Sequence, residues 1–208
     1  MDSVLHKLIT LKLNRNWLPI HTETPEVAFV DLSKGATKAL DIQFFRAEDG
    51  AYDYANVEYM NPVSWEEWVS LPIRDCDFVI HTPRLSIRVP TIVICENYSH
   101  MPMKLAKFTR QGIWTRDKGI CQYTGRKLSS SEGTIDHIVP QSKGGPSSWE
   151  NCALADREVN FRKGNKSNKE AGLRLIKKPV SPIPQPVINF IRNKHDIPEW
   201  NIFLNKRK

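Results

Sequence analysis

The segment 134-TIDHIVPQSKGG-145 decides how this chain is read. It places a carboxylic acid, Asp136, beside an imidazole, His137, inside an apolar run bounded by Ile135 and Ile138. Neighbouring side chains on a strand point to opposite faces, so the two can serve one place only where the strand ends. Pro140 and the polar, glycine-bearing loop that follows predict that end. Downstream, WENCALA (149–155) reads as a second strand and DREVNFRKG (156–164) as a short helix closed by Gly164. The local expectation is therefore strand, loop, strand and helix.

Upstream, FTRQGIWTRDKG (108–119) predicts a helix capped by Thr109 and stopped at Lys118-Gly119. Downstream, SNKEAGLRLIKK (167–178) opens with a Ser167 to Glu170 capping box and predicts a further helix. In the first half, Thr24, Pro25 and Gly35 frame a helix over 24–35, and Ser64 with Glu67 boxes another over 63–71. On that second helix, Trp65 and Trp68 read as core aromatics. ATKALDIQFF (36–45) and RLSIRVPTIVIC (84–95) read as strands, the latter interrupted by Pro90. The fold class expected is α+β. It comprises a mixed N-terminal domain of open role (1–105), a second domain (106–178), and a proline-rich linker with a tail that docks on the body (179–208).

The chain of 208 residues carries a net charge of +7, unevenly spread. Residues 1–105 hold 10 Lys/Arg against 14 Asp/Glu, residues 106–178 hold 15 against 7, and residues 179–208 hold 5 against 2. A field concentrated in this way favours a polyanion, nucleic acid above all. No apolar run is long enough for a membrane span, and the N-terminus does not read as a signal peptide, so the cytoplasm is the expected location and a membrane is not an expected partner. Cys76, Cys95, Cys121 and Cys152 form no regular framework and are expected as thiols.

The second domain supplies Asp136, His137, Asn151, Asn160 and Lys163 within 28 residues. Asn160 and Lys163 are three apart and share a helix face. These residue types suit phosphodiester chemistry. A phosphodiester repels hydroxide, so a divalent cation helps, and a hard ion such as Mg²⁺ is satisfied by one carboxylate and one amide oxygen while it keeps its waters. Asp136 and Asn160 meet that description. A neutral imidazole titrates near pH ~6.5, which suits His137 to take a proton from water. Asn151 is placed to orient the loop or the ring. Arg162, Lys163, Lys166 and Lys143 are expected to contact phosphates.

Over roughly 108–178 the sequence resembles the HNH endonucleases, with their ββα-metal (His-Me) finger, in the bacterial branch related to McrA-type nucleases. The resemblance lies in Arg-Asp-x-x-x-Cys-x-Tyr-x-Gly (116–125), Asp-His-Ile-x-Pro-x-Ser-x-Gly-Gly (136–145), Trp-Glu-Asn (149–151), Asn-x-Arg-Lys-Gly-Asn (160–165) and Glu-Ala-Gly-Leu (170–173). It implies His137 as general base, Asp136 and Asn160 on one catalytic metal, Mg²⁺ or Mn²⁺, and Asn151 as the middle asparagine of the motif. It also implies metal-dependent hydrolysis of DNA, expected as duplex, to 5′-phosphate and 3′-hydroxyl ends.

The chain departs from the branch where a structural zinc is held by two Cys-x-x-Cys pairs. It reads CQYT at 121–124 and DREV at 156–159, so no structural zinc is expected. Two alternatives stay open: a nucleic-acid-binding module with an inactive site, and a nuclease that works only with a protein partner held by the N-terminal domain; a homodimer is open as an assembly.

Overall fold

The computed structural model describes residues 4–204, and the chain divides into two compact units. One unit takes the described residues through Met103 and those from Pro186 onward, while the other is Lys104–Gln185. The fold is α+β, as expected. Among the described residues no helix is long and apolar enough to cross a membrane.

The first unit is built on β1 (Thr10–Asn14), β2 (Pro19–Glu23), α1 (Pro25–Ser33), β3 (Lys38–Arg46), β4 (Tyr52–Val63) and α2 (Trp65–Ser70). The short strands β5 (Val79–His81) and β6 (Ser86–Arg88) pair with each other, and β7 (Ile92–Cys95) joins the main sheet. That sheet runs β2-β1-β7-β3-β4, with β1 and β7 parallel and its other pairs antiparallel. Alternation along β7 explains how it is covered on both faces. Ile92 and Ile94 join Leu11, Leu13, Leu40 and Ile42 in one core, whereas Val93 joins Ala28 and Leu32 of α1 and Trp68 of α2 in the other.

The expected caps are present. Thr24 accepts from Val27 N, and Ser64 and Glu67 exchange both bonds of the box. The tail docks in this unit: Ile197 and Trp200 lie in the first core, and Trp200 Nε1 donates to Thr91 O at 2.9 Å. Residues 205–208 of that tail lie outside the described residues.

Two expectations need correction. The 84–95 segment is not one strand but two, β6 and β7, in different sheets. Pro90 between them offers no N–H to a ladder, so the chain turns there and Arg88 is left in the interior. Buried Arg88 meets Asp41 at 3.0 Å and Asp77 at 2.8 Å, and its carbonyl accepts from Trp68 Nε1. Residues 167–178 form no helix. Glu170 N donates to Ser167 Oγ and Ser167 N to Glu170 Oε2, but the backbone reverses after one turn at Gly172, whose φ is +63°.

The two-residue strands β8 (Met103–Lys104) and β11 (Gln185–Pro186) mark where the chain leaves and re-enters the first unit. Between them lie α3 (Arg110–Arg116), β9 (Gly133–His137), β10 (Cys152–Asp156) and α4 (Arg157–Lys163). Antiparallel β9 and β10 pair Asp136 with Ala153 and His137 with Cys152. Ile113, Cys121, Leu128, Trp149, Cys152 and Leu154 make the core of this second unit. Thr109 caps α3 through Gly112 N. At the other end of α3, Arg116 donates to Trp149 O and Cys152 O, while Asp117 accepts from Leu154 N, so the pair ties α3 to β10.

Candidate active site

The strand β9 ends at His137, and Asn151 holds the loop that follows. Its Oδ1 accepts from Val139 N at 2.9 Å, and its Nδ2 donates to Val139 O at 3.0 Å and Pro146 O at 2.9 Å. A buried amide with its hydrogen bonds committed to backbone is a positioning group. The loop is tight enough to demand glycine at 145, where a Cβ would lie 1.8 Å from Val139 O. Its geometry brings Ser147 Oγ within 2.9 Å of His137 Nε2, and Gln141 Nε2 donates to the same hydroxyl at 3.1 Å. His137 itself is half-buried.

Asp136 points inward and is 3% exposed. Lys163 of α4, 2% exposed, donates to Asp136 Oδ1 at 2.8 Å and to His137 O at 2.6 Å. The Tyr123 hydroxyl donates to Asp136 Oδ2. Burial, and then the adjacent Asp136 carboxylate, push the Tyr123 phenol well above its ordinary value, so it keeps the proton it donates. Asn168 Oδ1 lies 3.1 Å from the same phenol oxygen. The expected phosphate contact at Lys163 is therefore corrected: the ammonium is sealed against Asp136 and does not reach a surface ligand. Val159, four residues earlier on the same stripe of α4, is also buried, and that spacing was the signal in the sequence.

Asn160 lies on the flank of α4 toward β9, where its Nδ2 donates to Ile135 O at 3.4 Å. Its Oδ1 takes no hydrogen bond from the described residues. Arg162 and Lys166 are exposed, and Lys143, also exposed, is paired with Glu170 at 2.6 Å. Among the described residues no three His, Cys, Asp or Glu side chains cluster as metal ligands. The donors at hand are one carboxylate, one amide oxygen and a ring nitrogen. Asp136 has used one acceptor position on each oxygen, and a carboxylate offers about four, so both oxygens keep free lone pairs. By residue type, one carboxylate and one amide oxygen suit a hard divalent ion that retains most of its water.

Cys121, Asp156 and Val159, three of the positions expected in place of the Cys-x-x-Cys pairs, make other contacts. Cys121 Sγ accepts from Asp156 N at 3.3 Å. Burial raises this thiol, but the Thr124 hydroxyl and nearby backbone N–H groups outweigh it and leave it below the ordinary value. Asp156 caps α4 through Glu158 N and meets Arg126 at 2.5 Å, and Arg126 also meets Glu132 at 2.9 Å. Val159 packs in the interior. All four cysteines are free.

Sequence reasoning assigned no role to Tyr123, Ser147 or Gln141. Tyr123 and Ser147 lie in loops that only the fold brings to β9, and Gln141 joins them through Ser147. Residues 121–166 match the family model described as HNH endonuclease, and no curated protein matches the chain.

Proposed function

With an HNH endonuclease domain at residues 121–166, we propose that this chain is a metal-dependent endonuclease that hydrolyses phosphodiester bonds in duplex DNA. The observation that carries the reading is the end of β9. There His137 leaves the strand with Nε2 on Ser147, beside an Asp136 fixed from both sides. If Nε2–H donates to Ser147 Oγ, the neutral ring presents Nδ1 as an unprotonated base. His137 then takes a proton from water as the water oxygen bonds to phosphorus, and the 3′-oxygen departs in line and takes a proton from solvent to become the 3′-hydroxyl.

Asp136 and Asn160 are the residues that would hold a Mg²⁺ or Mn²⁺ ion. When bound, such an ion neutralises the phosphate and the departing oxygen. Lys163 already balances the charge of Asp136, which argues for weak binding of the metal. Asn151 acts through the loop as a positioning residue. Arg162, Lys166 and Lys143 are the exposed cations placed for backbone phosphates, with Glu170 competing for Lys143.

One observation favours a second reading. Both oxygens of Asp136 already have protein partners, as in a module that binds DNA without cutting it. Plasmid cleavage by the purified chain in EDTA, Mg²⁺ or Mn²⁺, beside His137→Ala, separates the two. Nicking or linearisation that needs metal and disappears in the variant is the expected result. DNA binding with no cleavage under either metal, unchanged in His137→Ala, would establish the binding module.

A further inference from the structure

Helix α4 carries a side chain that neither the fold nor the site accounts for. Phe161 is 87% exposed, the most exposed of the large apolar side chains among the described residues. Val159 and Lys163 occupy the buried stripe of the helix, and Asn160 flanks it toward β9. Phe161 lies beyond Asn160, four residues after exposed Arg157 and therefore on the same face. Arg162 beside it and Lys166 just past the helix end are also exposed, and none of these three cations has a carboxylate partner among the described residues. Glu158 is the one acid on the helix. The unit as a whole sets 16 Lys/Arg against 7 Asp/Glu over residues 104–185.

A ring 87% exposed forgoes roughly 1.5–3 kcal/mol of burial, which a partner surface would supply. A flat apolar ring among unpaired cations matches one chemistry well: a base presents a π face, and the flanking phosphates present charge. In an intact duplex the base faces are covered by stacking. The ring finds one only by opening a step, which costs a few kcal/mol and costs least where the stack is already broken.

We propose that Phe161 is a base-contacting wedge beside the site, and that it directs the enzyme to DNA with a locally unstacked base, such as a mismatch, a bulge or a junction, over intact duplex. This rests on the nuclease reading for its substrate, but its test does not need cleavage.

Full-length His137→Ala protein is titrated in EDTA with short duplexes, intact or carrying one mismatch, each with 2-aminopurine at the interrupted step. Anisotropy gives Kd, and 2-aminopurine fluorescence reports stacking. The mismatched duplex is expected to bind roughly 5- to 150-fold more tightly than the intact one, the range that one base–aromatic stack supplies. Adding Phe161→Ala should erase that preference and the fluorescence change at an unchanged melting temperature, while Phe161→Trp should keep both. Equal affinities for the two duplexes, or a preference that survives Phe161→Ala, would overturn the proposal, as would failure to bind either duplex. A Phe161→Ala change in sedimentation with DNA binding unaltered would also overturn it and mark the face as self-associating. A preference that depends on Phe161 in a protein that never cuts DNA would support the wedge and refute only the nuclease.

Discussion

Replacing Lys163 by methionine keeps the length of the side chain and deletes its charge, which isolates the ion pair with Asp136. Both partners are almost fully withdrawn from water, at 2% and 3% exposure. The substitution strands the Asp136 carboxylate in the interior with Tyr123 as its remaining donor, and leaves His137 O without its 2.6 Å partner. Removing one member of a buried pair costs about 3–5 kcal/mol, chiefly through the charge left behind. For a unit of this size each kcal/mol moves the midpoint by roughly 4–8 °C, so its transition should fall by roughly 12–40 °C. Calorimetry on the full chain should show one transition falling while that of the first unit stays in place. Asp136→Asn combined with Lys163→Met removes both charges and should recover much of the loss, giving a coupling of about 2 kcal/mol or more. A Lys163→Met transition within about 1 kcal/mol of wild type would refute the reasoning, because such a value belongs to a solvated surface pair.

Other outcomes follow from the same geometry. Asn151→Asp keeps the acceptor for Val139 N but turns a carboxylate toward the carbonyls of Val139 and Pro146. It should cost about 2–4 kcal/mol and speed amide exchange at Val139. Trp200→Ala should destabilise the first unit by about 3–5 kcal/mol, read as a lowered transition for that unit with the second unmoved. The Ser129 hydroxyl, its N–H and Arg126 hold Glu132 at about 2, below the ordinary 4.5. Its contribution to stability is therefore complete above pH 4.5 and is lost as pH falls toward 2. Urea unfolding across that window should show a shallower pH dependence in Glu132→Gln.

Local signals with a chemical cause were legible in the sequence. The caps at Thr24, Ser64 and Thr109 formed where side-chain oxygens stood ahead of helical patterns, and β9, β10 and α4 followed from the turn chemistry after His137 and from Gly164. What failed was decided at longer range. The strand β4 has mostly exposed side chains, so its sequence carries no alternation that marks a strand. A true capping box at Ser167 closed a single turn, since a cap starts a helix but does not supply a face to bury. Lys163 reads as a phosphate contact because charge usually means surface, and only packing places that ammonium on Asp136. Ser147 reached His137 through a loop whose path depends on Asn151 and Gly145.

The chain enters the second unit at Lys104 and returns at Pro186, and the core of the first unit closes over Trp200. A ribosome therefore completes the inserted domain before it has made the residues that finish its host. During synthesis the early sheet must wait, with one apolar face uncovered, for some eighty residues to emerge and fold. A message truncated just after the insertion would yield a finished second unit on a host open to proteolysis. Quality control that reads exposed apolar surface would then remove any copy whose translation stopped before Trp200, so the second unit would survive only in chains that also carry the residues closing the first.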